Sequence, residues 1–315
     1  MSTIIVDKDQ ESLRIDKFLL NSISHTTRNK IQNAFNTEKI IVNNFLVKKN
    51  YRVKPLDVVN VMMDFNKEKE IHQEDISLNI VYEDDVLVVI NKPSGMVVHP
   101  GHGNYKGTLL HAIKYHLNKK GMKAIPERMG LVHRLDKETS GLLLIAKNDY
   151  CLQHLAYQFF TRSVYRRYLA LVWGNLEGCG TMTGHIGRSF INRKRMEVFS
   201  YGSYGKHSVT HYKVLEKLNI VTLVSCRIDT GRTHQIRTHF TNLGNPIFND
   251  VRYGGGNICY KKKIKNCLSI LQGQFLHAQS FIFIHPITGK PMHFEVTLPK
   301  EMYEVLEKLR YVDHT

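Results

Sequence analysis

Apolar runs of strand length recur along most of the chain, at residues 86–90, 141–146, 168–172, 209–215, 221–228 and 275–284. Only some are separated by helical stretches, the clearest spanning 108–116. A doubly wound parallel sheet needs a helix after nearly every strand, whereas strands that outnumber helices without that alternation pack as an antiparallel or mixed sheet. The pattern predicts an α+β fold with a mainly antiparallel mixed sheet. With 315 residues, 42% of them hydrophobic, the chain can fill one large core and a small satellite domain.

The start of the chain reads as helix, helix, hairpin. Leu13, Ile15, Phe18 and Leu19 make one apolar face, and Ile31, Ala34 and Phe35 make a second after the helix-starting Thr26 and Thr27. A strand from Lys39 then meets the tight-turn pair Asn43 and Asn44 before a second over 45–47. From 65 to 76 the sequence turns polar and charged, so the expected layout is a small domain over 12–62, a linker over 63–76 and a large domain over 77–315.

Charge indicates the partner. Against 28 acidic residues stand 44 Lys and Arg, a net +16, which calls for an anionic surface such as nucleic acid or a membrane. The apolar runs are far too short to span a bilayer, so nucleic acid is the expectation. Residues 12–54 concentrate the excess, with nine basic side chains against Asp16 and Glu38, or 9 − 2 = +7. Such density in so short a piece suits phosphate binding, since each phosphate contact releases counterions. Residues 1–10 lack the basic flank and apolar stretch of a secretory signal, so a cytoplasmic location is expected.

The five cysteines, Cys151, Cys179, Cys226, Cys259 and Cys267, form no C-x-x-C pair and read as reduced thiols, not a disulfide framework or zinc module. Seventeen histidines include no H-E-x-x-H, and His207 with His211 fall in a strand-like stretch. No metal and no cofactor are expected.

The chemistry concentrates in residues 130–147, where a charged, turn-prone loop lies between apolar segments and carries Asp136 between Arg134 and Lys137. Opposite charge favours the ionised carboxylate, which suits a nucleophile. An isolated Asp in a turn is more often just an exposed turn residue, but this loop packs four charged groups and a histidine into six residues.

The stretch His133-Arg-Leu-Asp-Lys-Glu-Thr-Ser-Gly141 resembles the signature of the RluA/RluD-type pseudouridine synthases. Further blocks match in the family's order. They are Asn91-Lys-Pro-Ser-Gly95, Val97-Val-His-Pro-Gly101, Arg167-Tyr-Leu-Ala-Leu-Val-Trp-Gly174, Gly231-Arg-Thr-His-Gln-Ile-Arg237 and His285-Pro-Ile-Thr-Gly289. The N-terminal Leu13-Arg-Ile-Asp-Lys-Phe-Leu19, Arg28 and Lys39-Ile-Ile-Val-Asn43 resemble the S4 RNA-binding domain.

The resemblance implies a catalytic domain of pseudouridine synthase type behind a small α/β S4-like domain. It implies isomerisation of uridine to pseudouridine in structured RNA, with large-subunit ribosomal RNA as the expected partner. It makes Asp136 the nucleophile, Tyr168 the aromatic against the uracil, and Arg232 the partner of the Asp136 carboxylate, with Arg237 and His234 in structural or phosphate-facing roles. It also makes Arg134 the side chain that fills the RNA stack after the target nucleotide flips out; the residues alone fit a local salt bridge to Asp136 equally well. Arg14, Lys17, Arg28, Lys30 and Lys39 are the expected RNA contacts of the N-terminal domain.

Two rival classes remain visible. A non-catalytic RNA binder would have the charge without needing Asp136, Tyr168 and Arg232 together. A glycoside or nucleoside hydrolase needs water and usually a second carboxylate, and the only near one in sequence, Glu138, sits two residues along an extended loop and should point away. The lysine-rich part of 255–273 fits a loop over RNA and a solvated lysine run equally.

Overall fold

The computed structural model describes residues 2–23, 26, 28–62, 71–101, 103–122, 130–200, 202, 204–256 and 267–313. The backbone separates into two compact units, Met1–Glu70 and Ile71–Thr315.

The smaller unit contains β1 (Ser2–Ile5), α1 (Ile15–Ser22), α2 (Arg28–Asn36), β2 (Ile40–Val42), β3 (Phe45–Leu46) and β4 (Val58–Val61). Its antiparallel sheet runs β1-β4-β2-β3. The β2–β3 turn works as expected: Asn43 and Asn44 sit at φ 48° and 69°, the left-handed conformation that a two-residue hairpin needs at both positions. Ile15, Leu19, Ile31 and Ala34 are fully buried against Val53, Val59 and Val61, which is where the helical spacing put the apolar faces. Because β1 pairs with β4, the unit takes in residues ahead of 12, where the sequence pattern opened it. Thr27, expected to start α2, lies outside the described residues, as do residues 257–266 of the lysine-rich segment 255–273.

The larger unit begins with β5 (Ile80–Glu83) and β6 (Leu87–Lys92), then α3 (Leu109–Lys119), β7 (Ser140–Ala146), α4 (Asp149–Phe160) and β8 (Tyr165–Trp173). It continues with β9 (Cys179–Arg188), β10 (Met196–Phe199), β11 (Lys206–Leu218), β12 (Val221–Ile228), α5 (Gln235–Asn242), β13 (Leu276–Ile284), β14 (Pro291–Glu295) and α6 (Lys300–Asp313). One sheet carries all ten strands in the order β10-β9-β11-β12-β8-β13-β7-β6-β5, with β14 paired to β13. Every pairing is antiparallel except β7 with β13, so the fold is the α+β arrangement with a mainly antiparallel mixed sheet.

The parallel rung places His277 beside Ser140 and Ala278 beside Gly141. Gly141 is required there. At φ 111°, a Cβ would lie 2.2 Å from the carbonyl oxygen of Ala278, so only glycine lets the strands close. This junction anchors the end of the loop that bears Asp136.

Helix α3 starts where its apolar spacing placed it, after Thr108, and extends to Lys119 because Leu117 also packs into the core. Strands β5, β9, β10 and β14 of this unit have no counterpart among the expected runs. In β9, Gly180, Gly184 and Gly187 interrupt the alternation, yet each makes room for a neighbour: a Cβ would meet Tyr212, Val198 or Tyr204 at 2.6, 2.4 and 2.5 Å. Among the described residues no helix is long and apolar enough to cross a membrane.

Candidate active site

The loop before β7 is fixed by its own backbone. The ammonium of Lys92, fully buried at the end of β6, donates to the carbonyls of Pro93, Met96 and Lys137 at 2.7, 2.9 and 3.0 Å. Gly95 N–H donates to the same Lys137 carbonyl at 3.0 Å, and Ser94 Oγ donates to the Glu138 carbonyl at 2.9 Å. The turn at residues 92–96 thus grips the loop directly after Asp136. On the other side of the loop, His133 stacks between Phe159 and Phe281, with centroids 4.9 and 5.2 Å away. Its Nε2 accepts from Leu144 N–H, and burial followed by the nearby Arg166 charge pushes its pKa down to about 3, so this ring is neutral.

Asp136 faces a cavity of about 430 Å³, the size of a small-molecule site. Arg134, Tyr168 and Arg232 line the same cavity, so the side chains singled out in sequence converge on one place. Ile228 and Leu276 supply apolar wall. Tyr168 is buried, and burial raises its pKa above the ordinary value, with the Asp136 charge acting in the same direction and Arg166 opposing.

The carboxylate's ion pair is not the expected one. Arg237 Nη1 donates to Asp136 Oδ2 at 2.9 Å, whereas Arg232 Nε donates to the backbone carbonyl of His207 at 2.9 Å. The reason is the turn between them: His234 takes a left-handed φ of 54° as the residue before α5, so Arg232 lies ahead of the turn and Arg237 is carried on the helix. Asp250 holds Arg237 from behind, accepting from its Nε at 2.6 Å and its Nη2 at 3.0 Å. Burial pulls the pKa of Arg237 down, but the Asp250 hydrogen bonds and the charges of Asp250 and Asp136 outweigh it and hold the group above its ordinary value. His234 comes within 3.9 Å of Asp136 Oδ2; burial lowers its pKa to about 4, and its Nδ1 bonds the Tyr253 hydroxyl at 2.8 Å.

Neither sequence neighbour pairs with Asp136. Arg134 is exposed and free to reach outward, and Lys137 stands 3.8 Å from Glu138. Sequence reasoning undervalued Arg237 and gave no weight to Asp250, Lys92 or Arg166. One signal was available: Arg237 follows Ile236 directly on a helix whose stripe is buried, and a buried arginine demands a carboxylate.

In the smaller unit, Lys17, Arg28 and Lys39 are exposed and Lys30 is half-buried. Arg14 is committed to Asp16 through two hydrogen bonds of 3.0 and 2.8 Å. No group of three or more potential metal ligands occurs among the described residues.

Residues 86–242 match the family model described as RNA pseudouridylate synthase. A relative from Chlorobaculum parvum named as an RNA pseudouridine synthase is 44% identical over 98% of both chains. The chain belongs to the RluA/RluD-type RNA pseudouridine synthases. A Zymomonas mobilis protein named ribosomal large subunit pseudouridine synthase D is 37% identical over 94% of this chain and 93% of its own. Among solved structures, human RNA pseudouridylate synthase domain containing 4 covers 74% of this chain and 93% of its own, with a TM-score of 0.60 and 26% identity. The protein is thus an RNA-modifying isomerase with RNA as its substrate, and the pseudouridine synthase fold is the one described above.

Proposed function

We propose that the synthase isomerises a uridine flipped out of structured RNA, within large-subunit ribosomal RNA in the cytoplasm, and that Asp136 is its nucleophile. The carrying observation is the junction of unlike walls at Asp136: a carboxylate paired with Arg237 on one side, and the buried ring of Tyr168 with Ile228 and Leu276 on the other. A slot walled by Tyr168, Ile228 and Leu276 suits a uracil ring, and the carboxylate at its edge suits attack on the sugar.

In this reading the Asp136 carboxylate attacks C1′ as the C1′–N1 bond breaks with its electron pair going to N1, and the base turns within the slot. C5 then bonds to C1′, displacing the Asp136 carboxylate with its electron pair; the C5 proton leaves, and N1 takes up a proton. Arg237, fixed by Asp250, orients the carboxylate. Tyr168 stacks on the ring, and Arg134 fills the gap left in the RNA stack, where its planar cation offsets some of the few kcal/mol of unstacking. Arg232, which burial and then the charge of Arg162 hold below the ordinary arginine pKa, faces phosphate.

Ribosomal RNA as substrate is supported by several relatives named ribosomal large subunit pseudouridine synthase D, at 35–43% identity. The smaller unit acts as an S4-like RNA-binding domain, with Lys17, Arg28, Lys30 and Lys39 toward phosphate; Arg14, held by Asp16, shapes that surface. Hydrolysis is disfavoured because the carboxylate sharing Arg237, Asp250, has a fully buried side chain and is committed to the guanidinium, so it cannot deliver water.

The deciding experiment counts tritium released from C5-labelled, unmodified large-subunit rRNA. Wild type should release it and Asp136→Asn should not; release by the variant, or none by wild type on RNA that it binds, refutes the reading.

A further inference from the structure

Arg166 is a buried cation without an ion-pair partner among the described residues. It sits two residues before Tyr168 on β8, so strand alternation points both side chains to one face, and both line the cavity at Asp136. Only 7% of Arg166 is exposed. Its Nε makes no hydrogen bond, and no carboxylate among the described residues lies within ion-pair distance of it. The acid whose field raises its pKa, Asp229, is itself paired with His211 at 2.9 Å. What surrounds the guanidinium is neutral: the Phe159 ring at 5.2 Å, the uncharged His133, and the Gly231 backbone, where even a Cβ would come within 3.1 Å of Nη1.

A guanidinium this deep without an ion pair is costly, and the Phe159 ring and the field of Asp229 offset only part of that cost. Burial accordingly drives its pKa below the ordinary arginine value. A charge held at such cost beside a reaction cavity fits a site whose counter-charge arrives with the substrate. The isomerisation supplies one. When the C1′–N1 bond breaks, the departing base keeps the electron pair, and the negative charge spreads from N1 onto the carbonyl oxygens O2 and O4.

We propose that Arg166 is a catalytic residue whose guanidinium donates to a uracil carbonyl oxygen, holding the departing base as an anion until C5 bonds to C1′. The contact strengthens as the bond breaks, so it favours the transition state over the bound uridine. It also keeps the free base from escaping during its turn. This assignment rests on the reading of the cavity as the uridine site.

The test uses leaving-group acidity. Full-length wild type, Arg166→Met and Asp136→Asn are compared in single turnover on RNA carrying either uridine or 5-fluorouridine at the target, following loss of the N-glycosidic nucleoside by digestion and mass spectrometry. 5-Fluorouracil is the more acidic base and needs less help in leaving. Arg166→Met should slow cleavage at uridine on the order of 10²–10³-fold, the cost of removing one such donor. At 5-fluorouridine it should slow cleavage by roughly tenfold less than that. The ratio of the two rates in one sample does not depend on the fraction folded.

Equal slowing on both bases overturns the inference; if RNA affinity falls as well, Arg166 binds phosphate. A rate at uridine within about threefold of wild type also overturns it. An inert Asp136→Asn beside either result confines the failure to Arg166, whereas an active Asp136→Asn removes the reading of the cavity itself.

Discussion

Replacing Asp250 by Asn tests whether Asp136 is positioned from behind. The change preserves shape but removes the charge facing Arg237, and it turns an amide N–H₂ toward a guanidinium N–H that now finds an acceptor at 2.6 Å. The side chains of Arg237 and Asp250 are 7% and 0% exposed, so solvent does not screen the loss. Breaking one partner out of a buried pair costs about 3–5 kcal/mol. The retained contact from Arg237 to Asp136 at 2.9 Å and the surviving Oδ1 acceptor place the expected loss at the low end, about 3 kcal/mol. At about 2–4 °C per kcal/mol for a unit of this size, the melting temperature should fall by about 6–12 °C.

The rate should fall further than stability explains. With one acceptor in place of the two-point fork, the guanidinium holds the carboxylate less precisely, and misplacement by about 1 Å costs on the order of 10²-fold. Differential scanning calorimetry gives the first quantity, and single-turnover pseudouridine formation well below the new melting temperature gives the second. A melting temperature within about 2 °C of wild type, together with a rate within about threefold, would refute the reasoning that Asp250 anchors the site.

Gly141→Ala should prevent the β7–β13 rung from closing, with a loss above about 3 kcal/mol measured by urea unfolding, because the Cβ meets the Ala278 backbone at 2.2 Å. Arg134→Ala should leave the urea midpoint unchanged within about 0.5 kcal/mol, since the side chain is exposed, while lowering kcat/KM on RNA; unchanged kcat/KM removes its role in the stack. Acid should weaken the larger unit: burial lowers His234 and His239 to about 4, so the unfolded chain takes up their protons first as pH falls below about 6.5. Their stability is present above pH 6.5 and lost down to about pH 4, at about 1.4 kcal/mol per unit for each; a flat urea midpoint between pH 7 and pH 4.5 would contradict both. Charge reversal of Lys17 and Arg28 to Glu should weaken RNA binding and flatten its salt dependence without altering single-turnover rates at saturation.

Continuous apolar patterning marked the interior strands β6, β7 and β8 because they are buried nearly throughout. It failed in β9, where glycines vacate space for rings on β11 and on the turn before it, a need that depends on neighbours absent from the local pattern. The convergence of Arg134, Asp136, Tyr168 and Arg232 on one cavity was legible from motifs. The choice between Arg232 and Arg237 was not, because it turns on the left-handed backbone at His234, and histidine adopts that conformation for tertiary reasons. Arg166 was hidden for a related cause: beside Arg167 and ahead of Tyr168 it reads as one more basic residue, and only burial distinguishes it from Arg167, which reaches Glu295 at 2.7 Å.

The place of β13 between β8 and β7 also dictates when the enzyme can become active. Its residues are translated after those of both neighbours, yet Leu276 forms cavity wall and Ala278 closes onto the Gly141 junction. Until they emerge from the ribosome, β7 and β8 have no shared neighbour, and the loop with Asp136 lacks its downstream anchor. Pairing at such sequence separation is also slow, since loop closure precedes any gain from contact. A chain halted before residue 276 should therefore bind RNA through its basic N-terminal unit while releasing no tritium, so that synthesis of the protein is separated in time from onset of its chemistry.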